Sequence, residues 1–103
     1  MSLLGVDIGT TGCKAAAFTE DGRCLASAYR EYPTQHPAPG LAELDSLAVW
    51  QSVQDVIRQV ARETAGDPVS AASFSSLGEA MVPVTSRREI LAPSILCVDA
   101  RGE

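Results

Sequence analysis

Histidine is almost absent from this chain: its 103 residues include only His36, which lies in a proline-rich segment. Neither a catalytic triad nor a histidine metal cluster can be assembled from one such side chain. Cysteine is also sparse. The three cysteines, Cys13, Cys24 and Cys97, are odd in number, widely spaced and set in apolar runs. This pattern argues against a disulfide framework or a zinc site, and we expect buried free thiols.

Long apolar runs and an excess of positive charge are missing as well. No window approaches the roughly 18 apolar residues of a membrane span, and the amino terminus lacks a basic region followed by an apolar one. Eight lysine and arginine residues against 13 aspartate and glutamate residues give a net charge of −5, which argues against a nucleic-acid partner. We therefore expect a cytoplasmic protein with neither a membrane nor a nucleic-acid partner.

The most informative stretch lies at the amino terminus. Two apolar segments, residues 3–8 and 13–19, read as strands joined by a tight turn of Gly9, Thr10, Thr11 and Gly12. The glycines permit positive φ and carry no Cβ, so successive backbone N–H groups can point at one anionic group. The threonine hydroxyls add donors at the same place. The turn therefore has the groups that bind phosphate.

Charged residues flank this turn on both sides. Asp7 is an acceptor-only carboxylate suited to a hard cation such as Mg²⁺, and the long stem of Lys14 can bring an ammonium back over the turn. Together these groups predict a site for a nucleoside triphosphate, although the pattern is neither a Walker A loop nor a dinucleotide-binding turn. An ordinary hairpin is the alternative, because Asp, Gly and Thr are common turn residues.

The rest of the chain predicts one helix and further strands. Asp21 and Gly22 indicate a hairpin to a third strand at residues 24–31, which completes an antiparallel three-strand meander. Apolar residues at three- and four-residue steps predict a helix over residues 46–65, with Trp50 in the core. A strand over residues 69–75 follows, and then a hairpin of residues 80–85 and 90–92.

Both faces of the first two strands are apolar, yet only one helix is long enough to cover either face. We therefore expect an exposed apolar face larger than soluble monomers normally show. Such a face predicts a homo-oligomer, or a fragment of a longer chain that covers it.

The turn and its flanks resemble the first phosphate motif of the actin, hexokinase and Hsp70-like ATPase superfamily, and within it of the FGGY carbohydrate kinases. The residues that carry this resemblance are Asp7-Ile8-Gly9-Thr10-Thr11-Gly12-Cys13-Lys14. It extends from about Leu4 to Arg101, so residues 1–103 correspond to the opening part of the first domain of such a kinase. The resemblance implies an α/β, ribonuclease H-like fold, ATP and Mg²⁺ as cofactors, and phosphoryl transfer to a sugar or polyol hydroxyl. It also implies that the aspartate base lies beyond Glu103, so that this chain holds no catalytic residue and is inactive alone.

Two later segments extend the resemblance to the sugar site. Residues 75–80 align with the segment after the fourth strand of these kinases, where the last residue of a quartet contacts the acceptor; Glu79 occupies that position and Gly78 precedes it. An acidic loop residue in water is the alternative for Glu79. Residues 93–101 resemble a strand with an Asp-x-Arg end, with Cys97 where tryptophan is usual. Asp99 is then implied at the substrate site, although Asp99 and Arg101 could simply form an ion pair.

Two other classes of function stay open. One is a superfamily ATPase that is not a sugar kinase, such as an activator of a radical dehydratase. Activators of that kind carry iron–sulfur cysteines, which the scattered cysteines here do not indicate. The other is a non-catalytic interaction module that keeps the fold.

Overall fold

Three antiparallel strands open the chain in the computed structural model, which describes all 103 residues. In chain order the elements are β1 (Ser2–Ile8), β2 (Gly12–Thr19), β3 (Cys24–Glu31), β4 (Glu43–Leu44), α1 (Ser46–Glu63), β5 (Val69–Ser76) and β6 (Ser94–Ile95). The meander of β1, β2 and β3 confirms the predicted arrangement. The turn between β2 and β3 is closed by Gly22, whose φ of 92° is strained for other residues.

The helix begins and ends for local reasons. Asp45 caps it by accepting hydrogen bonds from the backbone N–H groups of Leu47 and Ala48, at 3.0 and 3.1 Å. The predicted helix ran to residue 65, but α1 ends at Glu63, and the Thr64 hydroxyl donates to the Val60 carbonyl at 2.8 Å. The helix packs across β2 and β3, and its fully buried residues are Val53, Val56 and Val60.

The prediction that Trp50 belongs to the core is wrong, because its side chain is 58% exposed. The apolar stripe of α1 is wider than the surface it meets: the helix lies over β2 and β3 and barely reaches β1. Leu47 and Trp50 lie on the flank beyond that contact and remain in solvent. Amphipathic spacing gives the period of a helix but not the width of the surface that it will contact.

A parallel fourth strand completes the main sheet. β5 pairs with β1, so the strand order is β3-β2-β1-β5, and Ile8 lies opposite Ser76 at the carboxyl ends of the two strands. An antiparallel meander, a covering helix and a parallel edge strand are the α/β arrangement that the resemblance implied. The chain contains no helix with the length and apolarity needed to traverse a bilayer.

The last third of the chain has little regular structure. β4 and β6 form a small antiparallel sheet, and Met81 forms an isolated bridge to Ile95. The predicted hairpin of residues 80–85 and 90–92 survives only as a turn with one bridge, between Val84 and Ile90, so the two strands predicted there are wrong. Pro83 cannot donate to a ladder, which limits pairing on that side.

The two faces of the main sheet differ in cover. Along β1, Leu4 and Val6 are buried under the helix side, whereas Leu3 is 42% exposed on the opposite side. Leu3 lies opposite Phe18 in the β1–β2 register, and Phe18 is half-buried. We call the side with Leu3 and Phe18 the open face. An uncovered face with apolar residues is therefore present, as predicted, whereas self-association through it stays a prediction.

The cysteine prediction is only partly right. Cys13 is buried, and burial raises the pKa of its thiol. Cys24 and Cys97 are exposed. Cys24 starts the edge strand β3 beside an irregularity in its pairing with β2, and Cys97 follows β6 in a turn, so apolar neighbours in sequence did not place either thiol in the core.

Candidate functional site

Two loops meet at one edge of the main sheet. Because β1 and β5 are parallel, their carboxyl ends lie side by side, and the loops that follow them start next to each other. The backbone N–H of Leu77 donates to the Ile8 carbonyl at 2.9 Å, which extends the β1–β5 pairing to the first residue of the second loop. The turn of residues 9–12 and the segment of residues 77–80 are therefore neighbours, although nearly 70 residues separate them in sequence.

The turn of residues 9–12, which we call the phosphate turn, is tightly closed. The backbone N–H of Gly9 donates to the Gly12 carbonyl at 2.9 Å, and a Cβ on Gly9 would lie only 3.1 Å from that oxygen. A Cβ on Gly12 would overlap the Tyr29 ring and the Arg30 carbonyl. Neither glycine has a positive φ, contrary to the reason given from sequence. Gly12 therefore has no room for a side chain, whereas a side chain on Gly9 would make one tight contact that the turn would have to shift to relieve.

The phosphate turn leaves hydrogen-bond donors free. The backbone N–H groups of Thr10 and Thr11 donate to no protein acceptor, and neither hydroxyl makes a hydrogen bond within the chain. Both residues are exposed. Free amides next to hydroxyl donors in a tight turn are suited to binding the oxygens of an anion.

Asp7 and Lys14 lie beside this turn on the open face. They are direct partners in the β1–β2 register, and Asp7 is also opposite Ser75 in β5, so the three residues form a row across the sheet. All three line a shallow depression with a volume of about 570 Å³, which extends over the open face. A cation and a carboxylate are thus available next to the free amides.

The carboxylate of Asp7 fits one mode of metal binding. No three histidine, cysteine, aspartate or glutamate side chains lie close enough together to hold a metal ion among themselves. Mg²⁺ is commonly held by one or two carboxylates together with substrate phosphates and water. Asp7 beside a turn with free amides has the geometry that this mode requires.

Glu79 lies in an unusual backbone conformation at the end of the neighbouring loop. Its φ of 56° is in the left-handed region, which costs free energy for a residue with a side chain. Its exposed side chain makes no hydrogen bond or salt bridge within the chain. Gly78 has open space around its Cα, so its lack of a side chain leaves the loop uncrowded there. The strained backbone therefore holds a free carboxylate in the loop that follows β5.

Asp99 is engaged with protein donors. Its Oδ2 accepts from the backbone N–H of Ala42 at 2.6 Å and from Arg101 Nη2 at 2.7 Å, while Oδ1 accepts from Arg101 Nε at 2.7 Å. The same Arg101 Nη2 donates to Glu43 Oε1 at 2.7 Å. The Asp99 side chain has no exposed surface, and the Arg101 guanidinium holds the pKa of its carboxyl well below the usual range. Direct contact between Asp99 and a substrate thus stays a prediction that this geometry does not favour.

One residue of the site was missed by the sequence reasoning. Tyr32 is 6% exposed, and its phenol donates to the Gly9 carbonyl at 2.5 Å. Its backbone N–H also donates to the Thr11 carbonyl at 3.1 Å. A signal was available: a meander that pairs Gly12 with Glu31 must place the next residue beside the phosphate turn.

Comparison with known proteins identifies the family of the chain. Residues 2–103 match the sequence model of the FGGY family of carbohydrate kinases, N-terminal domain. The glycerol kinase of Gloeobacter violaceus is 39% identical over 88 residues, which cover 85% of this chain and 16% of that protein. The glycerol kinase of Acaryochloris marina is 34% identical over 72 residues, covering 70% of this chain and 14% of that protein. The chain therefore spans about a sixth of the length of these relatives.

Solved structures show the same likeness. The xylulose kinase of Rhodospirillum rubrum superposes with a TM-score of 0.93 at 26% identity, covering 98% of this chain and 21% of that one. The gluconate kinase of Lactobacillus acidophilus gives a TM-score of 0.89 at 30% identity, covering 95% of this chain and 20% of that one. These structures confirm the predicted α/β fold of actin-like ATPase sugar kinases. By sequence and by fold, this chain belongs to the FGGY family of carbohydrate kinases.

Proposed function

We propose that this chain provides the first phosphate-binding turn and one wall of the acceptor site of an ATP-dependent sugar or polyol kinase. The observation that carries the proposal is the parallel pairing of β1 with β5, which brings the phosphate turn and the loop of Gly78 and Glu79 to one edge of the sheet. A phosphoryl donor and a hydroxyl acceptor must meet at one place, and these loops supply complementary groups there.

On the donor side, the chain offers amides, hydroxyls and one cation. The free N–H groups of Thr10 and Thr11 and their hydroxyls would bind phosphate oxygens of ATP, with Gly9 and Gly12 allowing close approach. The ammonium of Lys14 would offset further negative charge. Asp7 would hold Mg²⁺, which neutralises charge on the transferring phosphoryl group when it is bound.

On the acceptor side, Glu79 would accept hydrogen bonds from hydroxyl groups of the acceptor. Hydrogen bonds to a carboxylate are stronger than those between neutral groups, so a few of them can orient a small polyhydroxylated molecule. Gly78 would leave room beside it. The relatives are named for glycerol, xylulose and gluconate, which supports this class of acceptor. Asp99 would not contact the acceptor and would act indirectly, by fixing the loop of residues 40–43.

The proposal leaves one part of the reaction to residues outside this chain. Phosphoryl transfer needs a carboxylate that takes the hydroxyl proton, and the family resemblance puts that aspartate after Glu103. Residues 1–103 would then be part of the first kinase domain, inactive alone, within a cytoplasmic enzyme.

The test is a kinase assay on the polypeptide encoded by the complete reading frame. Mg·ATP is supplied with glycerol, xylulose or gluconate in turn, and release of ADP is followed. We expect release that depends on one acceptor and that falls strongly in the Asp7→Ala variant. Acceptor-independent ADP release would indicate an ATPase of another class, and no nucleotide binding at all would indicate an interaction module.

A further inference from the structure

Tyr32 makes two hydrogen bonds to carbonyl groups of the phosphate turn. The residue follows β3, and it reaches the turn twice: through its phenol to the Gly9 carbonyl and through its backbone N–H to the Thr11 carbonyl. Tyr32 is buried, so its phenol is largely shielded from water. The second bond extends the β2–β3 ladder, whereas the first depends entirely on the side chain.

The bond to Gly9 has a geometric consequence for its neighbour. The Gly9 carbonyl and the Thr10 N–H belong to the same peptide unit, and no peptide bond in the chain is cis. In a trans peptide unit these two groups point in opposite directions. A phenol that holds the carbonyl inward therefore turns the Thr10 N–H outward, away from the protein, where it has no partner.

We propose that Tyr32 is a positioning residue for the phosphate turn, which presents the Thr10 amide to a phosphate by fixing the Gly9 carbonyl. The inference rests on the proposed function for the identity of the anion. Burial raises the pKa of the Tyr32 phenol to about 12, so the hydroxyl remains a hydrogen-bond donor throughout the neutral range. Tyr32 touches neither of the proposed ligands and acts only through the backbone of the turn.

The chain offers a matched control in its only other tyrosine. Tyr29 lies in β3 close to Gly12, it is half-exposed, and its hydroxyl makes no hydrogen bond. Tyr32→Phe and Tyr29→Phe each remove a single hydroxyl, and the two residues are only three positions apart. Only the first of them removes a hydrogen bond to the phosphate turn.

The experiment uses the isotope-labelled chain, titrated with magnesium pyrophosphate while backbone amide and carbonyl resonances are followed. In the free protein we expect Tyr32→Phe to shift the Gly9 carbonyl and Thr10 amide signals and to leave the α1 amides unchanged. We expect it to weaken pyrophosphate binding about three- to tenfold, the usual effect of one lost hydrogen bond. Tyr29→Phe should bind as the parent chain does.

Each other result overturns a defined part of the inference. Unchanged Gly9 and Thr10 signals in Tyr32→Phe would show that the phenol does not fix the turn, whatever the ligand. Equal affinities of Tyr32→Phe and the parent chain would show that the fixed turn does not matter for phosphate. If the parent chain fails to bind pyrophosphate although Tyr32→Phe shifts the turn signals, the phosphate site itself is wrong, and Tyr32 is only a structural residue.

Discussion

The carboxylate of Asp99 accepts a hydrogen bond from the backbone N–H of Ala42 at 2.6 Å, across 57 residues of sequence. Two further backbone bonds lie beside it, from Leu96 to the Ala42 carbonyl at 3.0 Å and from Ala100 to the Gly40 carbonyl at 2.7 Å. Gly40 has a φ of 82°, which turns the chain there. Asp99 therefore fastens the loop before β4 to the turn after β6.

We predict that Asp99→Asn weakens the attachment of the loop before β4 to the turn after β6. Arg101 lowers the folded-state pKa of Asp99, so the carboxylate stabilises the fold above the ordinary aspartate pKa of about 4 and this stabilisation is lost as the pH falls below it. Amide exchange of Leu44 and Ile95 should speed up in Asp99→Asn at neutral pH and in the parent chain at low pH. Asp55→Asn, in an exposed pair with Arg58, is the control, and an equal effect there would contradict the assignment.

Asp7→Ala should weaken Mg²⁺-dependent nucleotide binding without changing the stability of the fold. Asp7 is exposed and makes no hydrogen bond or salt bridge, so we expect the free energy of unfolding in urea to change by less than about 0.5 kcal/mol. Mg²⁺-dependent binding of ADP should weaken at least about tenfold, and turnover of the complete kinase should be abolished. Glu20→Ala removes an equal charge at the far end of β2 and should alter neither property. If Asp7→Ala keeps a large fraction of the parent turnover at saturating Mg²⁺, the assignment of Asp7 as a metal ligand is wrong.

The role of Glu79 can be tested by comparing how its loss changes the KM for the acceptor and the KM for ATP. In the complete kinase, Glu79→Ala should raise the KM for the acceptor by about tenfold or more and leave the KM for ATP nearly unchanged, because only hydroxyl contacts are lost. Glu79→Gly should raise the same constant without loss of stability, since glycine accepts the φ of 56° freely. An equal rise in both constants, or no rise, would place Glu79 outside the acceptor site.

The buried phenol of Tyr32 predicts a specific alkaline transition. Folding raises its pKa from about 10 in an unfolded chain to about 12. The unfolded state then loses its proton at the lower pH, so this contribution to stability is present below pH 10 or so and declines between about 10 and 12. Phenolate absorbance should show one group titrating near 12 in the folded protein, and Tyr32→Phe should abolish that step. Titration of Tyr32 near 10, the usual tyrosine value, would mean that its phenol is not buried in solution.

The open face predicts association of the isolated chain. Burial of a few hundred Å² around Leu3 and Phe18 would contribute on the order of 10 kcal/mol before the costs of association, at about 25 cal/mol per Å². Light scattering at high concentration should report a dimer or larger species, and Phe18→Ser should shift it toward the monomer. A monodisperse species of 10.8 kDa would show that the open face is tolerated in water.

Much of the fold could be read from local pattern. Short apolar segments and the Asp21-Gly22 turn predicted the meander, and apolar residues at three- and four-residue steps predicted the start of the helix. These predictions agree with the structure within a few residues, since each depends on neighbours in sequence. The prediction of two strands around Pro83 is wrong, because Pro83 has no N–H to donate and only Val84 and Ile90 form a bridge there. The prediction that Trp50 lies in the core is wrong because the contact surface of α1 depends on the position of the helix over β2 and β3.

The sequence by itself determined the chemistry of the site: a carboxylate, two glycines, two threonines and a lysine around one turn, and a second carboxylate at Glu79. Tertiary structure alone decided which of these groups are neighbours and which are free. Parallel pairing of β1 with β5 brings the loop that contains Glu79 to the same sheet edge as the phosphate turn. Tyr32 holds the Gly9 carbonyl, and Arg101 with Ala42 engages Asp99. The reason is physical: the availability of a polar group depends on its hydrogen-bond partners, and in these cases the partners come from distant parts of the chain.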